Sequence, residues 1–209
     1  MLVVVIVTSL HIDIWSDIAC PWCFIGKRRL ERALSTLDEQ PTIEYHSFEL
    51  APDTPVDFEG SEIDFLKSML SQVIQIANNE GLKYDFDSLQ HTNTRKAHEA
   101  LHFAKSVGLQ AELKERLLKA YFEEGRHLGS IDVLLDLGSD IGLDSAALGD
   151  ALNAGSYAVD VTADVDRAIE MGVTGVPFFV FNGRFGVAGA QTPDVFVNVI
   201  ERLKTEGQS

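Results

Sequence analysis

The stretch WSDIACPWCFIGKRRLERAL, residues 15–34, holds the chain's two cysteines, Cys20 and Cys23, with Pro21 and Trp22 between them. A bridge across a two-residue spacer closes almost no loop, whereas a structural disulfide gains most by closing a long one. The spacing therefore points to thiol chemistry. Upstream, HIDIWSD (residues 11–17) alternates in polarity and is rich in β-formers, which predicts a strand. Downstream, Pro21 suits the first turn of a helix, where its missing N–H would have had no partner. Ile25, Leu30, Ala33, Leu34 and Leu37 then recur at helical spacing. PTIEYHSFEL (residues 41–50) predicts a second strand, so the order is strand, C-x-x-C, helix, strand.

Beyond residue 61 the pattern changes. SEIDFLKSMLSQVIQIANNEG opens on a helix-capping pattern and stops at glycine. TRKAHEALHFAKSVG, QAELKERLLKAYFEEG, SIDVLLDLGSDIG, DSAALGDAL and YAVDVTADVDRAIEMG predict further helices, with no strand pattern between residues 62 and 172. Strands return with GVPFFVFN, a tight turn at Gly183-Arg184 and FGVAGA, and TPDVFVNVIERLKTEG predicts a last helix with Thr192 as N-cap. With no flexible linker in sight, the helical block reads as an insertion. The apolar run Leu2 to Val7 is too short to span a bilayer and predicts an extra strand or extended arm.

Composition narrows the partners. The 209 residues carry a formal net charge of −15, which argues against nucleic acid or an anionic membrane. A hydrophobic fraction of 45% is ordinary for a chain that builds its own core. The basic cluster Lys27, Arg28, Arg29 and Arg32 reads either as a solvated helix face or as a positive field beside the cysteines. No basic n-region precedes the first apolar run, so the cytoplasm is the expected location. There a C-x-x-C is redox-active or metal-binding more often than structural.

The segments SDIACPWCFIGKRRLE, NTRKAHEALHFAK, AYFEEGRHLGSIDVL and GVTGVPFFVFNGRFGVAGAQTPDVF together resemble the DsbA-like thioredoxin-fold oxidoreductases, and within them the FrnE-type subfamily. The resemblance implies an α/β, thioredoxin-like fold with a large all-helical insertion. Its thioredoxin-like domain would be discontinuous, residues 1–60 and 160–209, with residues 61–159 as the helical insertion over the active site. It also implies a cis proline at Pro177 facing the first cysteine, with Gly175 and Val176 forming a loop whose backbone pairs with an extended substrate. Taken from the sequence alone, Pro177 reads as an ordinary trans proline opening a strand. Exported DsbA proteins carry His where this chain has Trp22, so the resemblance implies a less oxidising couple. The related glutathione-dependent kappa transferases and 2-hydroxychromene-2-carboxylate isomerases have serine in place of the first cysteine; Cys20 favours redox chemistry over theirs.

The thiolate is the nucleophile of disulfide exchange. Cys20, at the start of a helix, faces unpaired N–H groups and the positive end of the dipole, and is expected to be the exposed attacking thiol. Cys23, one turn on, is the resolving thiol. Pro21 and Trp22 join the substrate-binding set. Asp17 reads equally as a proton relay to Cys23 or as a turn aspartate. Trp15, Trp22 and Phe24 read as core or as an apolar rim. His98-Glu99-Ala100-Leu101-His102 is a literal H-E-x-x-H, but a third ligand is missing, so His98 is expected near the thiol site or against Asn93, and His102 as a core or surface histidine. No second Cys or His pair accompanies the cysteines, so no metal is expected there and no cofactor beyond the disulfide itself, with glutathione as a co-substrate. Three functions stay open: a thiol–disulfide oxidoreductase or isomerase acting on protein disulfides or small thiols, a glutathione-dependent isomerase or transferase, and a non-catalytic thioredoxin-fold chaperone. The oligomeric state stays open as well.

Overall fold

The computed structural model describes residues 9–57 and 63–206. The extra N-terminal strand and the cap expected at Ser61 lie outside the described residues. β1 (His11–Ser16), α1 (Pro21–Leu34) and β2 (Thr42–Ser47) follow the order read from the sequence. β1 and β2 are parallel, with Ile12 opposite Ile43 and Ile14 opposite Tyr45. α1 stops at Leu34, three residues before Leu37, where Ser35 and Leu37 close the end with bonds to Glu31 and Leu34 carbonyls.

Five helices come next: α2 (Ile63–Asn79), α3 (Arg95–Ser106), α4 (Gln110–Glu123), α5 (Ile131–Ser139) and α6 (Ser145–Ala154). α7 (Ala158–Glu170) leads back to the sheet, where β3 (Phe178–Phe181) and β4 (Phe185–Ala188) form a hairpin before α8 (Pro193–Glu206). The strand order is β2-β1-β3-β4, with β3 antiparallel to both of its neighbours. The hairpin turn runs over Asn182, Gly183 and Arg184. Asn182 and Gly183 both adopt positive φ, which asparagine and glycine tolerate best.

The two faces of the sheet bury different groups. Ile12, Ile14, Tyr45, Phe179 and Phe181 pack against Leu30, Ala33 and Leu34 of α1 and Phe196 and Ile200 of α8. Trp15 and Val173 form a smaller core with Ala168 of α7 on the other face. The helical block has the largest core, and it is continuous with the thioredoxin-like part, since Ile18, Phe24 and Ile25 pack among Leu113, Leu117, Tyr121 and Phe122. α1 thus buries one side in the sheet and another in the insertion. It presents its N-terminus where the two meet.

The basic residues of α1 explain how that contact is held. Lys27 and Arg28 are paired with Glu31 and with Glu115 of α4, Lys27 Nζ to Glu115 at 2.6 Å. Arg29 Nε donates to Glu80 at 2.7 Å, and Arg32 is paired with the same carboxylate. The cluster is mostly paired rather than solvated, Arg32 alone being largely exposed, and its charge is directed at Glu31, Glu80 and Glu115. Burial raises Glu115, but the bonds and charges of Arg28 and Lys27 outweigh it and hold its carboxyl at about 2.

Candidate functional site: the Cys20–Cys23 turn

Cys20 is the N-cap of α1, in extended conformation, with Pro21 opening the helix. Its Sγ lies 3.6 Å from the carbonyl oxygen of Val176, to which the thiol donates. The Val176–Pro177 peptide is cis. Pro177 is buried, Gly175 and Val176 are half-buried, and a Cβ on Gly175 would meet no atom within 4 Å. The structure therefore brings Cys20 against the Gly175–Val176–Pro177 loop, more than 150 residues away in the chain.

Exposure differs from expectation in one respect. Cys20 is only 4% exposed, because the cap position that aims donors at its sulfur also tucks it under the Val176 carbonyl. Trp22 is 38% exposed, and is the large apolar side chain presented at this turn. Trp15 and Phe24 are fully buried core residues, so no aromatic rim forms from the three.

The two thiols are electrically unequal. The Cys23 thiol favours the Cys20 thiolate, and the Cys23 and Trp22 amides add to it. Together they outweigh burial and the repulsion of Asp17, and Cys20 is shifted down from an ordinary thiol. Cys23 is shifted well up, chiefly by burial and then by its neighbour Cys20. A low first thiol and a high, sequestered second thiol is the division of labour a C-x-x-C needs: one sulfur ready to attack and one held back.

Asp17 sits beneath the pair, 2% exposed. Oδ1 accepts from the Ala19 amide at 3.2 Å, Thr94 Oγ1 at 3.0 Å and His98 Nε2 at 3.4 Å, and Oδ2 accepts from the Leu50 amide at 2.8 Å. Burial raises its carboxyl, but His98 and the two amides win, and it is shifted down. His98 is thus drawn to the site through Asp17. The second histidine of the H-E-x-x-H turns elsewhere: His102 Nε2 meets Ser47 Oγ and Asp164 Oδ2, each at 3.1 Å, and Glu99 pairs with Lys96.

Three features at or near the site had no signal in the sequence. Tyr84, in the α2–α3 loop, donates to the Pro21 carbonyl at 2.7 Å and ties the first turn of α1 to the insertion. A Cβ on Gly26 would come within 3.0 Å of Pro177 Cγ and 3.2 Å of Phe179, so glycine sets how closely α1 approaches the proline loop. On the opposite face of the sheet, His46 bridges Asp164 (Nδ1, 2.9 Å) and Asp13 (Nε2, 2.7 Å) and stacks on Trp15. Asp13, Glu44 and His46 hold their ligand atoms within 4.8 Å of one another. Both His46 nitrogens already have carboxylate partners and Glu44 pairs with Lys105, so the cluster is a satisfied ion network. Nothing in the local spacing of Tyr84, Gly26 or His46 marks them; each acquires its role from a distant segment.

Relatives place this geometry in a family. A curated protein of Bacillus subtilis, the uncharacterized protein YwbO, is 32% identical over 200 residues, covering 92% of this chain and 96% of that protein. The crystal structure of a probable DsbA oxidoreductase from Streptomyces coelicolor matches with a TM-score of 0.87 at 32% identity, over 94% of this chain and 91% of that one. The fold is shared more distantly with the cytosolic disulfide reductase DsbM from Pseudomonas aeruginosa, solved with GSH, at 21% identity and a TM-score of 0.70, over 93% of this chain and 99% of that one. A 2-hydroxychromene-2-carboxylate isomerase shares it at 19% identity and a TM-score of 0.77, over 95% and 98% of the two chains. The model of the DSBA-like thioredoxin domain spans residues 11–201, from β1 through the insertion to α8, and with the cysteine turn and proline loop at its centre the chain belongs to that family.

Proposed function

We propose that the chain is a cytoplasmic thiol–disulfide oxidoreductase or isomerase that works through the Cys20–Cys23 couple. The observation that carries this reading is the site's asymmetry: a thiolate-favouring Cys20 at the helix N-cap, against the Val176 carbonyl, with a buried Cys23 behind it. In the reducing direction the Cys20 thiolate attacks one sulfur of a substrate disulfide, forms a mixed disulfide and releases the first substrate thiolate. Cys23, on losing its proton, attacks Cys20 Sγ. That step breaks the mixed disulfide, releases the second substrate thiolate and leaves the Cys20–Cys23 disulfide, two electrons having passed to substrate. Oxidation of a substrate dithiol runs the same steps backwards.

The Gly175–Val176–Pro177 loop is the substrate-binding edge in this reading, pairing its backbone with an extended peptide, and Pro21 and Trp22 form the opposing wall. Disulfide-bearing proteins and small thiols are the substrates, with glutathione as the co-substrate that resets the couple. The discontinuous thioredoxin-like domain, residues 1–60 and 160–209, supplies the couple, and the insertion at residues 61–159 supplies its cover. Asp17 acts as a positioning carboxylate: four donors hold it ionised, which suits fixing the turn better than carrying protons.

Insulin reduction, followed with and without glutathione, tests the proposal. Wild type should turn over, Cys20→Ser should abolish both turnover and covalent trapping, and Cys23→Ser should accumulate mixed disulfides on Cys20. Equal activity in Cys20→Ser would overturn it.

A further inference from the structure

The resolving step leaves a physical problem. Cys23 must become a thiolate in order to attack, yet it is buried, and Cys20, Asp17 and the site's low polarity all oppose its charge. One group that acts on it has the opposite sign, from the helix whose Leu113 and Leu117 pack with Phe24 and Ile25 beside Cys23. Lys114, on α4 of the insertion, is 1% exposed, and its ammonium nitrogen has no hydrogen-bond partner among the described residues. It lies 5.8 Å above the centre of the Tyr45 ring.

Burying an unpaired ammonium is costly, and the other buried lysine among the described residues is not left so: Lys27 has Glu31 and Glu115. The groups that interact with Lys114 are Cys23 and Lys27 from α1, Cys20 and Asp17 from the β1–α1 turn, and the ring of Tyr45 from β2. Around Cys23 the ionisable groups are Cys20, Asp17, Lys114 and Tyr84. Lys114 is the cation among them.

We propose that Lys114 is a positioning residue for resolution, the insertion's fixed positive charge that lets Cys23 lose its proton and attack the Cys20 mixed disulfide. The inference rests on the redox reading above. In the step, the proton of the Cys23 thiol leaves to solvent. The thiolate's electron pair forms the Cys20–Cys23 bond, and the substrate sulfur departs with the electrons of the mixed disulfide. Burial pulls Lys114 down to about 8, against the opposing attraction of Cys23, Asp17 and Cys20, so it is mainly cationic at neutral pH and keeps a neutral fraction. The orphaned nitrogen then has a purpose: its partner is the charge that appears on Cys23 during turnover.

Reaction of the reduced chain with excess 5,5′-dithiobis(2-nitrobenzoate) separates the two steps in stopped flow. The first thionitrobenzoate is released when Cys20 attacks, the second when Cys23 resolves. Lys114→Met should slow the second phase on the order of tenfold. Losing the charge would raise the Cys23 thiol further, and the lower thiolate population is only partly offset by its greater nucleophilicity. The first phase should change by less than about threefold, because the cation acts chiefly on Cys23. Across a pH series the wild-type advantage should shrink above about 8, where Lys114 itself loses its proton. Lys114→Gln, a second variant that removes the charge but keeps a polar end, should split the phases in the same way, with unfolding midpoints no lower than wild type for Met. A second phase unchanged in both variants, or both phases slowed by one common factor, would overturn the proposal. A wild-type chain releasing a single equivalent would instead overturn the redox reading, and this proposal with it.

Discussion

Cys20 and Cys23 are two residues of one type, three positions apart, whose thiols are shifted in opposite directions. The cause is geometric. The first faces the amides that open α1, while the second is carried round one turn into the interior. That much is legible in the sequence, because a cap, a proline at the first helical position and a helical period are local signals. What opposes the thiolates is not local. Asp17 gathers donors from the β1–α1 turn, the β2–α2 segment and α3, and its charge raises both thiols. Asp17→Asn should therefore move the pH midpoint of Cys20 alkylation downwards. It should also destabilise the fold by about 1–3 kcal/mol, since an amide nitrogen now meets donors that had an acceptor. Iodoacetamide kinetics against pH, with denaturant unfolding alongside, checks both. An upward move of the midpoint would mean that Asp17 acts as the relay base instead.

At the scale of elements, α1 does most of the assembly. Its apolar stripe predicts one buried face, but the structure buries two, one against the sheet and α8 and the other against α4 and Tyr84. A single period could not show this, because Lys27, Arg28 and Arg29 look solvated until Glu80 and Glu115 arrive from residues far along the chain. Gly26 has the same character. Within a helix, glycine is about 1 kcal/mol worse than alanine, so its presence needs a reason, and Pro177 supplies one. Gly26→Val should push α1 off the proline loop and destabilise by about 1–3 kcal/mol through overpacking. It should slow Cys20 attack as well, since the Val176 carbonyl would shift relative to the sulfur. Urea unfolding and first-phase thiol kinetics measure the two effects. Full stability in this variant would show that the loop can move aside at no cost.

Across the whole molecule, the succession of strands and helices, the hairpin and the inserted helical block follow from periodicity and turn chemistry, whereas the order β2-β1-β3-β4 within the sheet is set by contacts between distant segments. The H-E-x-x-H does not act as one unit, since His98 and His102 find different carboxylates across different contacts. Among the described residues, no helix is long and apolar enough to cross a membrane. The His46–Asp164 pair joins α7 to the sheet and gives the fold its pH window. Burial lowers His46, but Asp164, Asp13 and Glu44 overcome it and raise it above its ordinary value, so its contribution is full below about 6.5 and fades as pH rises through the folded value. Burial raises Asp164, but His102, His46 and the Ser47 amide prevail and hold it well below the carboxylate range. Its contribution is present above about 4 and is lost as pH falls through the folded value. The pair therefore stabilises most between about pH 4 and 6.5. Asp164→Asn should cost about 3–5 kcal/mol in that window by removing the main counter-charge of His46, and should flatten the stability–pH curve there. Unfolding free energies measured from pH 4 to 9 test it; a parallel curve, merely lowered, would contradict it.

The redox couple itself bears the whole account. Equilibrating the chain in glutathione buffers of graded ratio, then trapping thiols with acid and a mass label, gives its reduction potential directly. A reversible two-electron transition at Cys20 and Cys23 is predicted. Its potential should be more negative than the roughly −120 mV of a DsbA site with His between its cysteines, because Trp22 offers the Cys20 thiolate no positive charge. Cysteines that stay reduced across the whole series, or a potential at or above that value, would contradict it.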